Sequence, residues 1–91
     1  MSKEYEKIEL EYTDHARKAM ELMQISDEQV KMVIHHGETT GEKLYRKNEE
    51  ERFLAKKRIG DRTIYVEYLP TGKGNMFKIY TVYAHKAKIK V

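Results

Sequence analysis

Apolar residues recur along this chain with two periods. Ile8, Leu10 and Tyr12 alternate with Glu9 and Glu11, the period of a half-buried strand. Thr13 and Asp14 suit a helix N-cap, and beyond them the spacing turns helical. Ala16, Ala19, Met20 and Met23 then line one side of "DHARKAMELMQ". Ser26 opens a second helix, because Gln29 three residues on completes a capping-box pattern. Val30, Val33 and Ile34 supply its apolar side, and Gly37 stands where a helix-ending glycine is expected. So tight a link makes the two segments an antiparallel helical pair.

From Glu42 the period returns to two. "KLYRKN", "ERFLAKKRI", "RTIYVEYL" and "MFKIYTVYAH" read as strands, rich in Tyr, Ile, Val and Phe. Asn48–Glu50, Gly60–Asp61 and Pro70–Asn75 are the turns between them; Gly60-Asp61 suits a two-residue hairpin. Short connections make consecutive strands antiparallel neighbours. The fold expected is α+β, one domain over residues 1–91. An N-terminal strand and two short helices pack on a four-stranded antiparallel meander.

Charge changes this picture more than composition does. Met1 to Glu42 carries five Lys/Arg against ten Asp/Glu, a net of −5, and Lys43 to Val91 carries thirteen against five, a net of +8. A basic second half suits a polyanion, since each cation near a phosphate releases counterions. The alternative is a solvated surface of mixed charge. With no cysteine, disulfides and cysteine-based zinc sites are excluded. No apolar run approaches the ~20 residues of a membrane span, and "MSKEYEKIELEY" is too charged for a signal peptide. A cytoplasmic protein with no membrane partner is expected.

Histidine raises a metal question that spacing answers. His35 and His36 are adjacent on one helix, so they point in different directions and cannot both face one ion. No metal and no cofactor is expected. His15, in the first turn of the first helix, suits a structural hydrogen bonder, with a base facing the sheet as the alternative.

In "ERFLAKKRIGDR", Arg52, Leu54, Lys56 and Arg58 share one face, and Phe53, Ala55, Lys57 and Ile59 the other. Both faces therefore acquire cations near Gly60, joined by Arg62 from the returning strand. Lys56-Lys57-Arg58 repel one another unless solvated or matched by an anion such as phosphate. In the closing stretch Phe77, Ile79, Thr81, Tyr83 and His85 share one face, and Lys78, Tyr80, Val82 and Ala84 the other. Lys78 argues that the first set meets the helices, which leaves His85 where the core runs out. Cleavage of RNA through its own 2′-hydroxyl needs a base, cations at the phosphate and an acid for the leaving oxygen, but no metal. His, Tyr, Lys and Arg can fill those roles.

Two stretches carry a family likeness. "DHARKAMELMQISDEQVKMVIHHGE" looks like the opening of a widespread prokaryotic family of unknown function, with His-Ala in a helix, Ile-Ser, and a second helix ending in Gly. "EERFLAKKRIG" with "IYTVYAHKA" resembles the BrnT branch of the RelE-like toxins. Glu50, Arg52, Phe53, Ala55, Arg58 and Gly60 fit its first pattern, and Ala84, Lys86 and Ala87 its second. His85 departs from the family's arginine, and Leu54 from a common polar residue; histidine is no permanent cation.

That resemblance implies a metal-independent RNA endonuclease toxin acting on mRNA, either free or ribosome-bound, with a small antitoxin protein as partner. Carried over, Arg52 and Arg58 hold the scissile phosphate, His85 is base or acid, and Lys86 stabilises charge. Lys56, Lys57, Arg62 and Lys73 bind RNA backbone. The competing expectation is a non-catalytic domain that uses the same surface to bind RNA or an acidic protein. A further one has a partner docking on the edge strand "KLYRKN".

Overall fold

The computed structural model describes residues 4–47 and 50–86 of the 91. Asn48 and Glu49 of the expected turn lie outside the described residues, as do Ala87, Lys88 and Lys90 of the closing stretch. A 3-10 turn, Glu4–Lys7, leads into β1 (Glu9–Tyr12), α1 (Asp14–Met23) and α2 (Asp27–Thr40). Strands β2 (Lys43–Lys47), β3 (Glu51–Ile59), β4 (Arg62–Pro70) and β5 (Met76–Lys86) follow.

Both expected helix starts form as the sequence chemistry requires. The Thr13 hydroxyl accepts from the Ala16 N–H at 3.1 Å, and Ser26 with Gln29 makes a complete capping box. α1 closes on Gln24, whose φ of 53° is left-handed.

Three corrections follow from packing. The expected meander forms from β2 to β5, but it is not the whole sheet. β1 joins it as a fifth strand, parallel to β5, in the order β1-β5-β4-β3-β2. The outer edge of β5 would otherwise leave main-chain groups unpaired, and β1 covers its Met76–Ile79 stretch, with Thr13 N–H donating to Ile79 O at 3.1 Å.

Gly37 does not end α2; Gly41 does, at φ 76°, with its N–H on Gly37 O at 3.0 Å. Gly37 lies inside the helix because the sheet passes so near: a Cβ there would meet the Ala55 Cβ at 2.9 Å. Glycine at this crossing lets α2 sit directly on β3.

The expected phase of β5 holds for only half the strand. Glu67 pairs with Thr81, yet the next residue, Tyr68, pairs with Ile79, so Tyr80 is an extra residue on β5. Such a bulge moves every later side chain to the other face. Ile79 is buried as expected, but beyond the bulge Val82 and Ala84 pack with the core, and Thr81, Tyr83 and His85 face away from the helices. Thr13 Oγ1 donates to the Tyr80 carbonyl at 3.1 Å, so the cap of α1 also satisfies the bulge.

Both helices lie on one face of the sheet, α1 against β5 and α2 against β3 and β4. The core between the layers holds Ala16, Val30, Val33, Ile34, Ala55, Ile64, Val66, Tyr68, Ile79 and Val82. Each fully buried Val or Ile in it contributes roughly 1.5–3 kcal/mol of transfer free energy.

Candidate functional site

Confining the helices to one face leaves the other open to water. Strand alternation assigns that face Leu44 and Arg46 of β2, then Arg52, Leu54, Lys56 and Arg58 of β3. β4 adds Thr63, Tyr65 and Glu67, and β5 adds Tyr80, Tyr83 and His85. An exposed face of an antiparallel sheet is ordinarily polar. Here aromatic rings stand among the cations.

Tyr65 and Tyr83 are directly opposite one another on β4 and β5. Their rings stack with centroids 4.8 Å apart and planes 9° from parallel. The His85 ring stands edge-on to both, at 5.7 Å and 6.2 Å. Burial in this cluster raises the pKa of Tyr83 above the ordinary phenol value. Glu67 adds to that rise and Arg46 opposes it. Neither Tyr65 nor Tyr83 hydrogen-bonds through its hydroxyl among the described residues.

The expected site residues separate into two groups. Lys56 is the cross-strand neighbour of Tyr65, and Thr63 lies between Arg58 on one side and His85 on the other. Arg58 and His85 are therefore two strand spacings apart, about 9.6 Å between Cα atoms, on the same face. Lys56 makes no ion pair among the described residues, and Arg58 makes only a 3.4 Å contact from Nε to Gly60 O.

Arg52 stands apart. It lies six residues along β3 from Arg58, about 20 Å away. Its guanidinium sits 4.3 Å from the Tyr80 ring centroid, with Nη2 2.8 Å from Glu50 and Nη1 3.9 Å from Glu67. Its Nε is buried without a partner. Arg62 turns to the helix side, where its guanidinium donates to the carbonyls of Met23 and Gln24 at the end of α1. There it supplies the donors that the last turn of a helix lacks. Lys86 also leaves the open face, lying 3.8 Å from Asp61 beside Met23 and Gln24. Lys73 belongs to the β4–β5 turn, at the far end of the sheet from Gly60. Arg52, Arg58, His85 and Lys86 therefore do not gather into a single hollow.

A second feature escapes sequence reasoning. β2 begins at Lys43, opposite Ala55, so beyond Ala55 no described strand flanks β3 on that side. An open groove of about 850 Å³ occupies the place. Lys56, Lys57 and Arg58 line it, and His36 and Glu42 form the opposite wall, with His36 Nε2 2.8 Å from Glu42 Oε2. Adjacent His35 and His36 suggested nothing, because the partner of His36 comes from beyond the helix end. The left-handed turn at Gly41 brings Glu42 back beneath His36.

Among the described residues no three His, Cys, Asp or Glu side chains gather as a metal site, and no helix is long and apolar enough to cross a membrane. The model of the family described as Domain of unknown function (DUF4258) matches residues 12–84. The chain belongs to that family. No curated protein and no solved structure matches it. The DUF4258 match covers Tyr65, Tyr83 and the cations of β3, and ends just before His85.

Proposed function

We propose that this DUF4258 domain binds single-stranded RNA on the helix-free face of its sheet. The stacked pair Tyr65–Tyr83, flanked by unpaired Lys56 and by Arg58, carries the reading. Nucleobases stack on aromatic faces whatever their sequence, at about 1–3 kcal/mol per base, while Lys and Arg follow the backbone. A sheet face free of helices lets unpaired bases reach its rings, whereas a duplex would present only its backbone. The basic second half of the chain adds longer-range attraction. Resemblance to the RelE/BrnT toxins supports RNA, and mRNA in particular, over other polyanions.

Binding to a labelled oligouridylate, followed by fluorescence anisotropy, tests this. Tyr83→Ala weakens binding about tenfold, in line with one lost stacking contact. Raising salt from 50 to 200 mM weakens it about tenfold too, as two or three neutralised phosphates require. Unchanged affinity in Tyr83→Ala, with the fold intact, rejects the reading.

Strand cleavage is a second reading, favoured by Arg58 and His85 flanking Thr63 on that face. In it Arg58 holds the phosphate and His85 transfers the proton, without Arg52 or Lys86, and a small antitoxin protein covers the face. Scission of bound RNA that disappears in His85→Ala supports it. Intact RNA after prolonged incubation with the native chain leaves binding alone.

A further inference from the structure

We propose that the open edge of β3 holds a terminal phosphomonoester of the RNA, in the plane of the sheet where β2 has ended. This rests on the RNA reading above and names what lies at one end of the bound strand. Successive strand residues point to opposite faces, so three consecutive cations cannot converge on either face. Lys57 faces the helix layer, being opposite the core residue Ile64, while Lys56 and Arg58 face the open side. The place all three can reach is the strand's own edge, approached from above and below. Along most of β3 that edge is closed by β2, but beyond Ala55 it is open.

All three cations line the groove there, and neither Lys56 nor Lys57 has an ion pair among the described residues. Three cations lining one groove, against the single carboxylate of Glu42 that His36 engages, match a dianionic phosphomonoester better than a monoanionic backbone diester. Leu44 and Leu54, paired across β2 and β3, form an apolar floor, and Tyr65 borders the groove. A terminal nucleotide thus has a surface for its base and sugar next to the site for its phosphate. Terminal phosphate on either end of a strand has this chemistry, and the two ends are separated by experiment.

Oligouridylates of about ten nucleotides, carrying a 5′-phosphate, a 3′-phosphate or hydroxyls at both ends, are titrated against the native chain and Lys57→Gln. One phosphorylated form is expected to bind about tenfold tighter than the hydroxyl-ended form, the factor of one charge-assisted contact. Lys57→Gln is expected to abolish that difference, bringing the ratio of phosphorylated to hydroxyl-ended affinity to about one whatever the change in overall affinity. Equal affinity for all ends, or an advantage that survives Lys57→Gln, overturns the proposal. Uridine 5′- and 3′-monophosphate, followed by amide chemical shifts of the native chain, provide a second readout. Shifts confined to the groove residues, His36, Leu44, Leu54, Lys56–Ile59 and Tyr65, support the edge site even if hydroxyl-ended RNA does not bind, an outcome that removes the sheet-face reading alone. Absence of shifts there with both nucleotides overturns it.

Discussion

Tyr68 and Tyr83 are the same side chain on adjacent strands, in opposite circumstances. Tyr68, on the covered face, is 0 % exposed, and its hydroxyl donates to Glu38 at 2.7 Å. Burial and then Glu38 push its pKa above the ordinary phenol value. Tyr83, on the open face, stacks on Tyr65 and offers its hydroxyl to no described residue. The arginines repeat the contrast, with Arg62 occupied by the carbonyls ending α1 and Arg58 in little more than a long contact to Gly60. Tyr68 and Arg62, on the helix side, are satisfied by protein groups. Tyr83 and Arg58, on the open face, keep capacity to bond and are available to a ligand.

Substitutions on the two faces should therefore separate stability from binding. Ile64→Ala, within the core, is expected to lower unfolding stability by about 3 kcal/mol in urea, the usual cost of such a cavity. Tyr83→Ala is expected to cost about 1 kcal/mol or less. Equal losses at the two positions would break the contrast.

A smaller separation is expected between the arginines. Arg62→Gln strips donors from the end of α1 and should cost about 1–2 kcal/mol, whereas Arg58→Gln should stay within about 0.5 kcal/mol. Gly37→Ala should cost about 1 kcal/mol: crowding against Ala55 outweighs the better helix propensity of alanine. Combining it with Ala55→Gly should recover most of that loss, and strict additivity would remove the close-approach account.

The smallest effect is electrostatic. Burial raises the pKa of Glu38, but hydrogen bonds from Lys43 and Tyr68 outweigh it, and the carboxyl ends below its ordinary value. The folded state then binds fewer protons than the unfolded chain. Stability from this group is complete above the ordinary carboxylate pKa of ~4.3 and is lost as pH falls through the lower, folded value. Glu38→Gln should flatten that acid limb in a urea series run from about pH 6 to pH 3. An unchanged limb would locate the acid sensitivity elsewhere.

Local chemistry was legible in the sequence wherever neighbours along the chain decide the outcome. Thr13, Ser26 and Gln29 cap as their types and spacing imply, and Gly60-Asp61 joins β3 to β4. The assignment of side chains to the two faces of β3 also holds. Non-local features were not legible. Nothing in "MFKIYTVYAH" marks Tyr80 as the bulge, and the group that satisfies its carbonyl, Thr13, is sixty-seven residues away. Gly37 looks like any helix-ending glycine until Ala55 is seen beside it. For the site, strand alternation identified cations near the Gly60 turn, but not Tyr65, and it set Tyr83 on the wrong face. It did not reveal that Arg52 is held by Glu50, Glu67 and Tyr80, or that Arg62 serves α1. The bulge is what moves Tyr83 and His85 to the open face and so assembles the stacked pair.

Nuclear magnetic resonance of the native chain, titrated with a single-stranded oligouridylate, tests the open face most directly. The account predicts that shifts concentrate on the rings of Tyr65, Tyr83 and His85 and on the Lys56 and Arg58 side chains, while Val33, Ile34 and Tyr68 stay still. Shifts spread over both faces, or centred on α1 and α2, would contradict it.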